Sequence, residues 1–157
     1  MQGAPIPDQS RVYLLPGDLH ATAAPCEITT ILGSCVAVCL WDASSRTGGM
    51  NHFLLPQSRD GAQPSMRFGD VATQELLHRL HRLGCRHENL TAKLFGGSAL
   101  WQPDYCYEKS LGALNVEAAH TMMKSYKIRI IAADTGGNQG RKIVFSTDDG
   151  SAWARRI

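Results

Sequence analysis

The sequence predicts a mixed α+β fold: a single layered domain with a mixed, mostly antiparallel sheet and two main helices. Three observations lead to this fold class. The chain has 157 residues, a length typical of one domain. Short runs of β-branched and apolar residues alternate with Gly, Pro and Asp turn signals, and only two stretches carry apolar residues at helical spacing. We expect residues 1–10 to be a loose lead-in and residues 11–157 to form the domain.

Strands separated by clear turns dominate the first third of the chain. Pro16-Gly17 ends the first predicted strand. Gly33-Ser34 interrupts the second one and is expected to bend it sharply. The polar segment 42–48 then provides a turn, so the strands on either side of it should pair as a β-hairpin. These predicted strands cover residues 12–15, 28–40 and 49–55.

Two helices and further strands are predicted in the remainder. A helix over residues 70–83 ends where Gly84 supplies the usual C-terminal glycine, and a second helix covers residues 115–126. Residues 128–133 have the continuous apolar character of a buried strand. The turn Asp148-Asp149-Gly150 is expected to close a final hairpin. The other predicted strands are residues 91–95, 143–145 and 151–157.

Composition and charge argue against several classes of function. The net charge is only +2, and no Lys/Arg cluster is interleaved with aromatic residues, which argues against nucleic-acid binding. The longest apolar run, residues 35–41, is far shorter than the ~20 residues that cross a bilayer. The N-terminus does not resemble a secretion signal. The five cysteines are an odd number at irregular spacing, typical of free thiols in a reducing compartment. We therefore expect a cytoplasmic protein without membrane insertion.

The predicted hairpin brings a cysteine and a histidine to the same end. Cys35 follows the Gly-Ser bend directly, and His52 lies on the facing strand. Because neighbouring strands are ~4.8 Å apart, the imidazole can reach the thiol and remove its proton. The bend also frees backbone N–H groups that can hold an oxyanion. Spacing alone leaves a second interpretation open, in which Cys35 is a small buried apolar residue, as we expect for Cys39.

Other motifs point to no metal and no cofactor. Neither Gly96-Gly97 nor Gly136-Gly137 forms a phosphate-binding or dinucleotide fingerprint, and we interpret both as turns. One group of potential metal ligands lacks the paired spacings of a zinc site, and part of it falls on a helix face that carries arginines, which we interpret as solvated. That group comprises His78, His81, Cys85 and His87.

Four segments together resemble the CheD family of chemoreceptor glutamine deamidases. The segments are TTILGSCV (29–36), GGMNHFLLP (48–56), KLFGG (93–97) and DTGGNQGRK (134–142). Their order and separation match that family from about residue 11 to residue 150, nearly the whole chain. The first two segments are specific when taken together, and the later two support them.

This resemblance implies an enzyme that converts selected glutamines on the cytoplasmic domains of chemoreceptors to glutamate, releasing ammonia without metal or cofactor. The implied fold is shared with bacterial toxins that deamidate host proteins. By position, the catalytic cysteine is Cys35 and the catalytic histidine is His52. The third catalytic element is a threonine just upstream of the Gly-Ser-Cys motif. An ungapped comparison back from Cys35 favours Thr29 for that role, with Thr30 as the alternative.

The resemblance also leaves a second role open. Members of the family can bind and stimulate a chemotaxis phosphatase of the CheC type, so an interaction role can accompany deamidation or replace it. The chain retains both Cys35 and His52, which favours an active enzyme. From their position as loops, residues 57–69 and 136–141 are where we expect contacts with the receptor.

Overall fold

Two stacked sheets and a layer of helices make up the architecture of residues 10–99 and 107–157, the part of the chain that the computed structural model describes. A four-stranded sheet packs on one face of a five-stranded sheet, and two α-helices pack on the other face. This confirms the predicted α+β class with two main helices. The expected lead-in, residues 1–10, lies outside the described residues except for Ser10.

The strands divide between two sheets rather than forming one. The four-stranded sheet has the order β1-β3-β8-β9, and the five-stranded sheet has the order β2-β5-β4-β6-β7. The pairs β1–β3 and β6–β7 are parallel, whereas the remaining neighbours are antiparallel, so the sheets are mixed and mostly antiparallel as predicted. The strands are β1 (Arg11–Tyr13), β2 (Leu19–Thr22), β3 (Glu27–Leu32), β4 (Val36–Asp42), β5 (Thr47–Asn51), β6 (Leu90–Gly96), β7 (Arg129–Thr135), β8 (Arg141–Ser146) and β9 (Ala152–Arg156), and the helices are α1 (Gly69–Arg82) and α2 (Leu111–Tyr126).

The chain crosses from one sheet to the other at Gly33-Ser34. β3 belongs to the four-stranded sheet and turns Ile28, Thr30 and Leu32 inward. β4 is the central strand of the five-stranded sheet, and both of its faces are buried. The predicted bend is therefore a crossover between two layers. The β4 residues that face the four-stranded sheet are Ala37 and Cys39, and those that face the helices are Val36, Val38 and Leu40.

Both helices lie close to the predicted ranges. α1 matches its prediction to within one residue at each end, and Gly84 follows it with a φ of 97°, the left-handed conformation that favours glycine after a helix. α2 begins earlier than predicted, at Leu111, because Ser110 caps it: Ser110 Oγ accepts a hydrogen bond from the Ala113 N–H at 3.1 Å. The first turn of α2 is largely exposed or glycine, so apolar spacing does not reveal this start.

Three strands differ from the expectation. β2 has no counterpart among the predicted elements, because its four residues are all partly buried and show no alternation. β5 ends at Asn51 rather than at residue 55, since the Asn51 side-chain oxygen accepts the Val38 N–H at 2.9 Å in place of a backbone partner. The strand predicted over residues 128–133 is present as β7, but the prediction that it is buried is wrong. β7 is mostly exposed because it lies at the edge of the five-stranded sheet.

A fully buried arginine holds the connection between β7 and β8. The Arg141 guanidinium donates hydrogen bonds to the Asp134 carboxylate at 3.0 Å, to the Asp134 carbonyl and to the Gly136 carbonyl. Burial lowers the pKa of Arg141, and the Asp134 carboxylate opposes that shift. Arg156 contacts the same Asp134 oxygen at 2.9 Å, but its side chain is 49% exposed. Two arginines therefore share one carboxylate in very different surroundings.

Replacing the buried arginine should cost far more stability than replacing the exposed one. We expect Arg141→Met to lower the free energy of unfolding by ~2–4 kcal/mol, because it removes the buried donor that the Asp134 and Gly136 carbonyl oxygens share. Arg156→Met is the matched control and should cost less than ~1 kcal/mol, since its ion pair is solvated. Urea unfolding of the three proteins measures both losses. Equal losses would show that burial of Arg141 adds nothing to this interaction.

Candidate active site

The turn that carries Cys35 is anchored to the end of β6. The Gly33 carbonyl accepts a hydrogen bond from the Ser98 N–H at 2.9 Å, and the Cys35 carbonyl accepts one from the Gly97 N–H at 2.8 Å. Gly96 makes this approach possible, because its φ is 103° and a Cβ at this position would overlap the Cys35 carbonyl oxygen. The turn and the end of β6 are therefore in direct backbone contact.

The third carbonyl of the turn, that of Ser34, accepts a hydrogen bond from the side-chain amide of Asn115 in α2 at 2.9 Å. In a trans peptide the carbonyl and the following N–H point in opposite directions. The N–H groups of Ser34 and Cys35 therefore point away from these anchors, and no other described residue accepts either of them. The Cys35 N–H lies close to its own sulfur. These two N–H groups are the candidate donors to an oxyanion.

His52 lies on the same face of the five-stranded sheet as Cys35. The register of the β4–β5 hairpin is constant and extends to an isolated bridge between Val36 and Phe53. In that register Ala37 stands opposite His52, and Cys35 is two residues further along on the same face. Diagonal neighbours of this kind have Cα atoms ~7–8 Å apart, with side chains closer. The register therefore places Cys35 and His52 as diagonal neighbours on one face of the sheet.

His52 is bound across the gap between the two sheets. The Thr30 hydroxyl in β3 lies 2.7 Å from His52 Nδ1 and donates its proton to the Leu14 carbonyl at 2.8 Å. A hydroxyl has a single proton, so Nδ1 must be protonated and donate to Thr30 Oγ1. In the neutral ring the lone pair is then on Nε2. Nε2 is therefore the ring nitrogen of His52 that can accept a proton.

Of the two threonines, Thr30 rather than Thr29 is hydrogen-bonded to His52. Successive side chains of a strand alternate between its faces. Thr30 shares the buried face of β3 with Ile28 and Leu32, so Thr29 lies on the opposite face, away from His52. The hydrogen bond expected from Thr29 is made by Thr30. Counting back from Cys35 does not take into account which face of β3 is buried.

Burial disfavours the charged forms of both partners. His52 is 2% exposed, and burial lowers its pKa to about 4, with a smaller opposing effect of the Asp18 carboxylate. Burial also raises the pKa of the Cys35 thiol, while its own N–H partly opposes that shift. At neutral pH both the Cys35 thiol and the His52 imidazole are therefore neutral. A neutral imidazole of this kind can act as a general base.

Similarity to known proteins identifies the family. A family model described as CheD chemotactic sensory transduction matches residues 54–156. The probable chemoreceptor glutamine deamidase CheD of Trichlorobacter lovleyi is 42% identical over 94% of this chain and 89% of that protein. The chain belongs to the CheD family. The probable chemoreceptor glutamine deamidases CheD 1 of Anaeromyxobacter dehalogenans and CheD of Rhodospirillum rubrum are 43% and 44% identical, covering 95% and 92% of this chain and 86% and 81% of those proteins.

Asn115 is the residue of this CheD-family site that the sequence does not reveal. It stands at the start of the predicted second helix, 81 residues from Ser34, and no spacing rule connects the two. Its one signal is its residue type, because a polar amide on the buried side of a helix needs partners. Helix packing, which the sequence pattern does not specify, brings those partners to it.

The other sequence candidates lie away from this CheD-family site or carry no chemistry there. Cys39 is fully buried, which raises the pKa of its thiol, and it packs in the core as expected. His78 and His81 are exposed on α1 as predicted. Among the described residues, no group of three or more His, Cys, Asp or Glu side chains is placed to hold a metal ion. Neither α1 nor α2 is long and apolar enough to cross a membrane, and this holds for the whole described part of the chain.

Burial of a neutral His52 should make the protein less stable as the pH falls from 6.5 to 4. In this window the unfolded chain binds a proton at His52 that the folded protein does not bind. The free energy of unfolding therefore decreases as the pH is lowered, by up to ~3 kcal/mol. We expect His52→Gln to remove that part of the pH dependence, measured by urea unfolding at neutral pH and near pH 4.

His120→Gln is the matched control for this measurement, because His120 is an exposed histidine on α2. It should leave the pH dependence of the wild-type protein intact. A pH dependence that His52→Gln leaves unchanged would contradict the assignment of a buried neutral imidazole.

Proposed function

We propose that this chain is a protein-glutamine deamidase that converts glutamine side chains on chemoreceptor cytoplasmic domains to glutamate, by a thiol mechanism, in chemotaxis adaptation. The observation that carries the proposal is the Thr30–His52 hydrogen bond, which leaves Nε2 as a base on the sheet face that Cys35 occupies. The CheD-family relatives, named as probable chemoreceptor glutamine deamidases, support the choice of substrate.

In the first half-reaction, the Cys35 sulfur attacks the carboxamide carbon of the substrate glutamine while the thiol proton passes to His52 Nε2. The carboxamide oxygen becomes an oxyanion, which the N–H groups of Ser34 and Cys35 stabilise. The imidazolium then gives its proton to the amide nitrogen. The carbon–nitrogen bond breaks, ammonia leaves, and a thioester links the substrate side chain to Cys35.

In the second half-reaction, a water molecule loses a proton to His52 Nε2 and its oxygen attacks the thioester carbon. The carbon–sulfur bond breaks, and the Cys35 sulfur recovers a proton from the imidazolium. The product is a glutamate side chain, and the enzyme returns to its starting state. Throughout both halves Thr30 accepts the hydrogen bond from Nδ1–H, which keeps the ring in the required tautomer and orientation.

Removal of the proposed nucleophile should abolish deamidation without affecting the fold. A receptor cytoplasmic fragment incubated with the wild-type protein should show the mass increase that replacing an amide NH2 by OH brings, and Cys35→Ala should give none. Cys39→Ala is the matched control, since it removes a buried thiol from β4, four residues after Cys35, and should keep the activity. Equal mass shifts with Cys35→Ala and the wild type would rule out the nucleophile.

The two threonines offer a matched pair of substitutions for the third residue. Thr30→Val removes the hydroxyl that binds His52, so we expect kcat to fall roughly tenfold to a hundredfold, the equivalent of one lost hydrogen bond to a charged group. Thr29→Val changes the opposite face of the same strand and should leave kcat within about twofold. Steady-state deamidation kinetics measure both, and the reverse order would restore Thr29 to the site.

We also propose that the protein binds and stimulates a chemotaxis phosphatase of the CheC type in the cytoplasm, where the receptor domain lies. The family resemblance supports this role. Cys35→Ala separates the two roles, because it should still bind the phosphatase, and loss of both functions in this variant would contradict independent roles.

For the receptor we propose contacts at residues 57–69 and 136–141, and alanine substitutions in both loops that leave deamidation unchanged would exclude them.

A further inference from the structure

Asn115 joins the two segments that carry the proposed catalytic pair. It lies in α2 and is fully buried. Its side-chain Nδ2 donates one hydrogen bond to the Ser34 carbonyl and another to the Leu54 carbonyl, both at 2.9 Å. Ser34 immediately precedes Cys35, and Leu54 lies two residues after His52. A single amide group therefore spans the gap between the two segments.

The Asn115 amide replaces the backbone hydrogen bonds between the Cys35 and His52 segments, which end next to the site. Val36 and Phe53 exchange both of their backbone hydrogen bonds, at 3.1 and 3.0 Å. The same register would place Leu55 opposite Ser34, but the Leu55 N–H is bonded to the Arg67 carbonyl at 3.1 Å. The Ser34 carbonyl thus lacks a donor from the neighbouring strand. The amide from α2 supplies it, so the two segments separate next to the thiol without losing their alignment.

α2 reaches these carbonyls because it packs very close to residues 33–35, called the nucleophile turn below. A Cβ at Gly112, three residues before Asn115, would overlap the carbonyl oxygens of Gly97 and Ser98. Those same two residues donate their N–H groups to the turn. The first turns of α2, the end of β6 and the nucleophile turn are therefore packed as one unit, and Asn115 is the side chain at its centre.

Besides these contacts, the Asn115 amide has an energetic cost. Its Oδ1 is buried without a hydrogen-bond partner among the described residues. Asparagine is also a poorer helix former than leucine, which has a similar volume. Unpartnered buried acceptors are uncommon in native proteins, and each one calls for an explanation. The side-chain NH2 group of Asn115 provides that explanation, because only a double donor can hold both carbonyls.

We propose that Asn115 is a positioning residue for deamidation, which sets the distance and orientation of Cys35 relative to His52 by holding the Ser34 and Leu54 carbonyls together. This inference rests on the function proposed above. Asn115 does not touch the substrate, because it is fully buried. It also aims the Cys35 N–H at the oxyanion, since fixing the Ser34 carbonyl fixes the direction of the N–H in the same peptide.

Asn115→Leu keeps the side-chain volume and removes both donors. We expect kcat to fall by roughly a hundredfold while KM stays within about threefold, because the transition state is misaligned while the contacts with the substrate are retained. Thr147→Val is the matched control. The Thr147 hydroxyl is buried and bonds to the Cys26 N–H and the Ala24 carbonyl, both at 2.9 Å, at the far end of β3.

Thr147→Val should lose stability in urea unfolding much as Asn115→Leu does, yet keep kcat within about twofold of the wild type. A kcat loss as large as that of Asn115→Leu would show that reduced stability alone lowers the activity, and it would overturn the positioning role. A loss confined to KM in Asn115→Leu would overturn it as well.

A second readout does not depend on deamidation. Alkylation of Cys35 by iodoacetamide, located by peptide mass mapping, should be at least about tenfold slower in Asn115→Leu and approach the rate of His52→Gln. If the wild type shows no deamidation but this order of alkylation rates holds, the proposed function fails and the positioning role stands. Wild-type alkylation rates in Asn115→Leu would overturn the positioning role, whatever the substrate is.

If Asn115→Leu does not fold, Asn115→Asp tests the same proposal. Its side chain has nearly the shape of the amide and at most one donor, the O–H of the protonated acid, so it cannot hold both carbonyls. We expect its kcat to fall at least as far as that of Asn115→Leu, again with KM nearly unchanged. A folded Asn115→Asp protein with kcat within about threefold of the wild type would overturn the proposal, because shape would then suffice without donation to both carbonyls.

Discussion

The passage of the chain from one sheet to the other at Gly33-Ser34 is the constraint on which the rest of the site depends. Because β3 and β4 belong to different sheets, one bend places Cys35 at the end of the gap between them. The same passage sets Thr30 on one sheet against His52 on the other. A continuous strand would have kept these residues in one layer, and nothing would face the imidazole from across the core. The layering of the sheets, and not the hairpin alone, builds the site.

The partner of His52 is a hydroxyl rather than a carboxylate, and this changes the acid–base balance of the site. A carboxylate beside Nδ1 would stabilise the imidazolium and raise its pKa. Thr30 offers a neutral oxygen, so desolvation dominates and the pKa of His52 falls to about 4. The ring is then free to accept a proton at neutral pH. In the proposed mechanism, the imidazolium is a stronger acid than an ordinary histidine, which suits the expulsion of a poor leaving group as ammonia.

Local signals in the sequence predict much of this fold, whereas features set by packing between elements stay hidden. The bend at Gly33-Ser34 and the end of α1 at Gly84 have turn residues that indicate their structure at once. The position of Thr30 rather than Thr29 at the imidazole depends on which face of β3 the second sheet covers. The hydrogen bonds of Asn115 depend on how closely α2 approaches the turn. The spacing of residues in the sequence reveals neither feature.

Buried polar groups hold the backbone next to the Cys35 thiol rigidly. Arg141 holds the β7–β8 connection, whose Gly136 N–H bonds to the Gly96 carbonyl at 2.9 Å, and the adjacent Gly97 binds the Cys35 carbonyl. Desolvating such groups is costly, and an apolar core would pack without that cost. An apolar core has no means of fixing the directions of three carbonyls in one turn, however. Those directions turn the Ser34 and Cys35 N–H groups away from the anchors, so in the proposed mechanism the rigidity of the turn, rather than an acidic thiol, prepares Cys35 for catalysis.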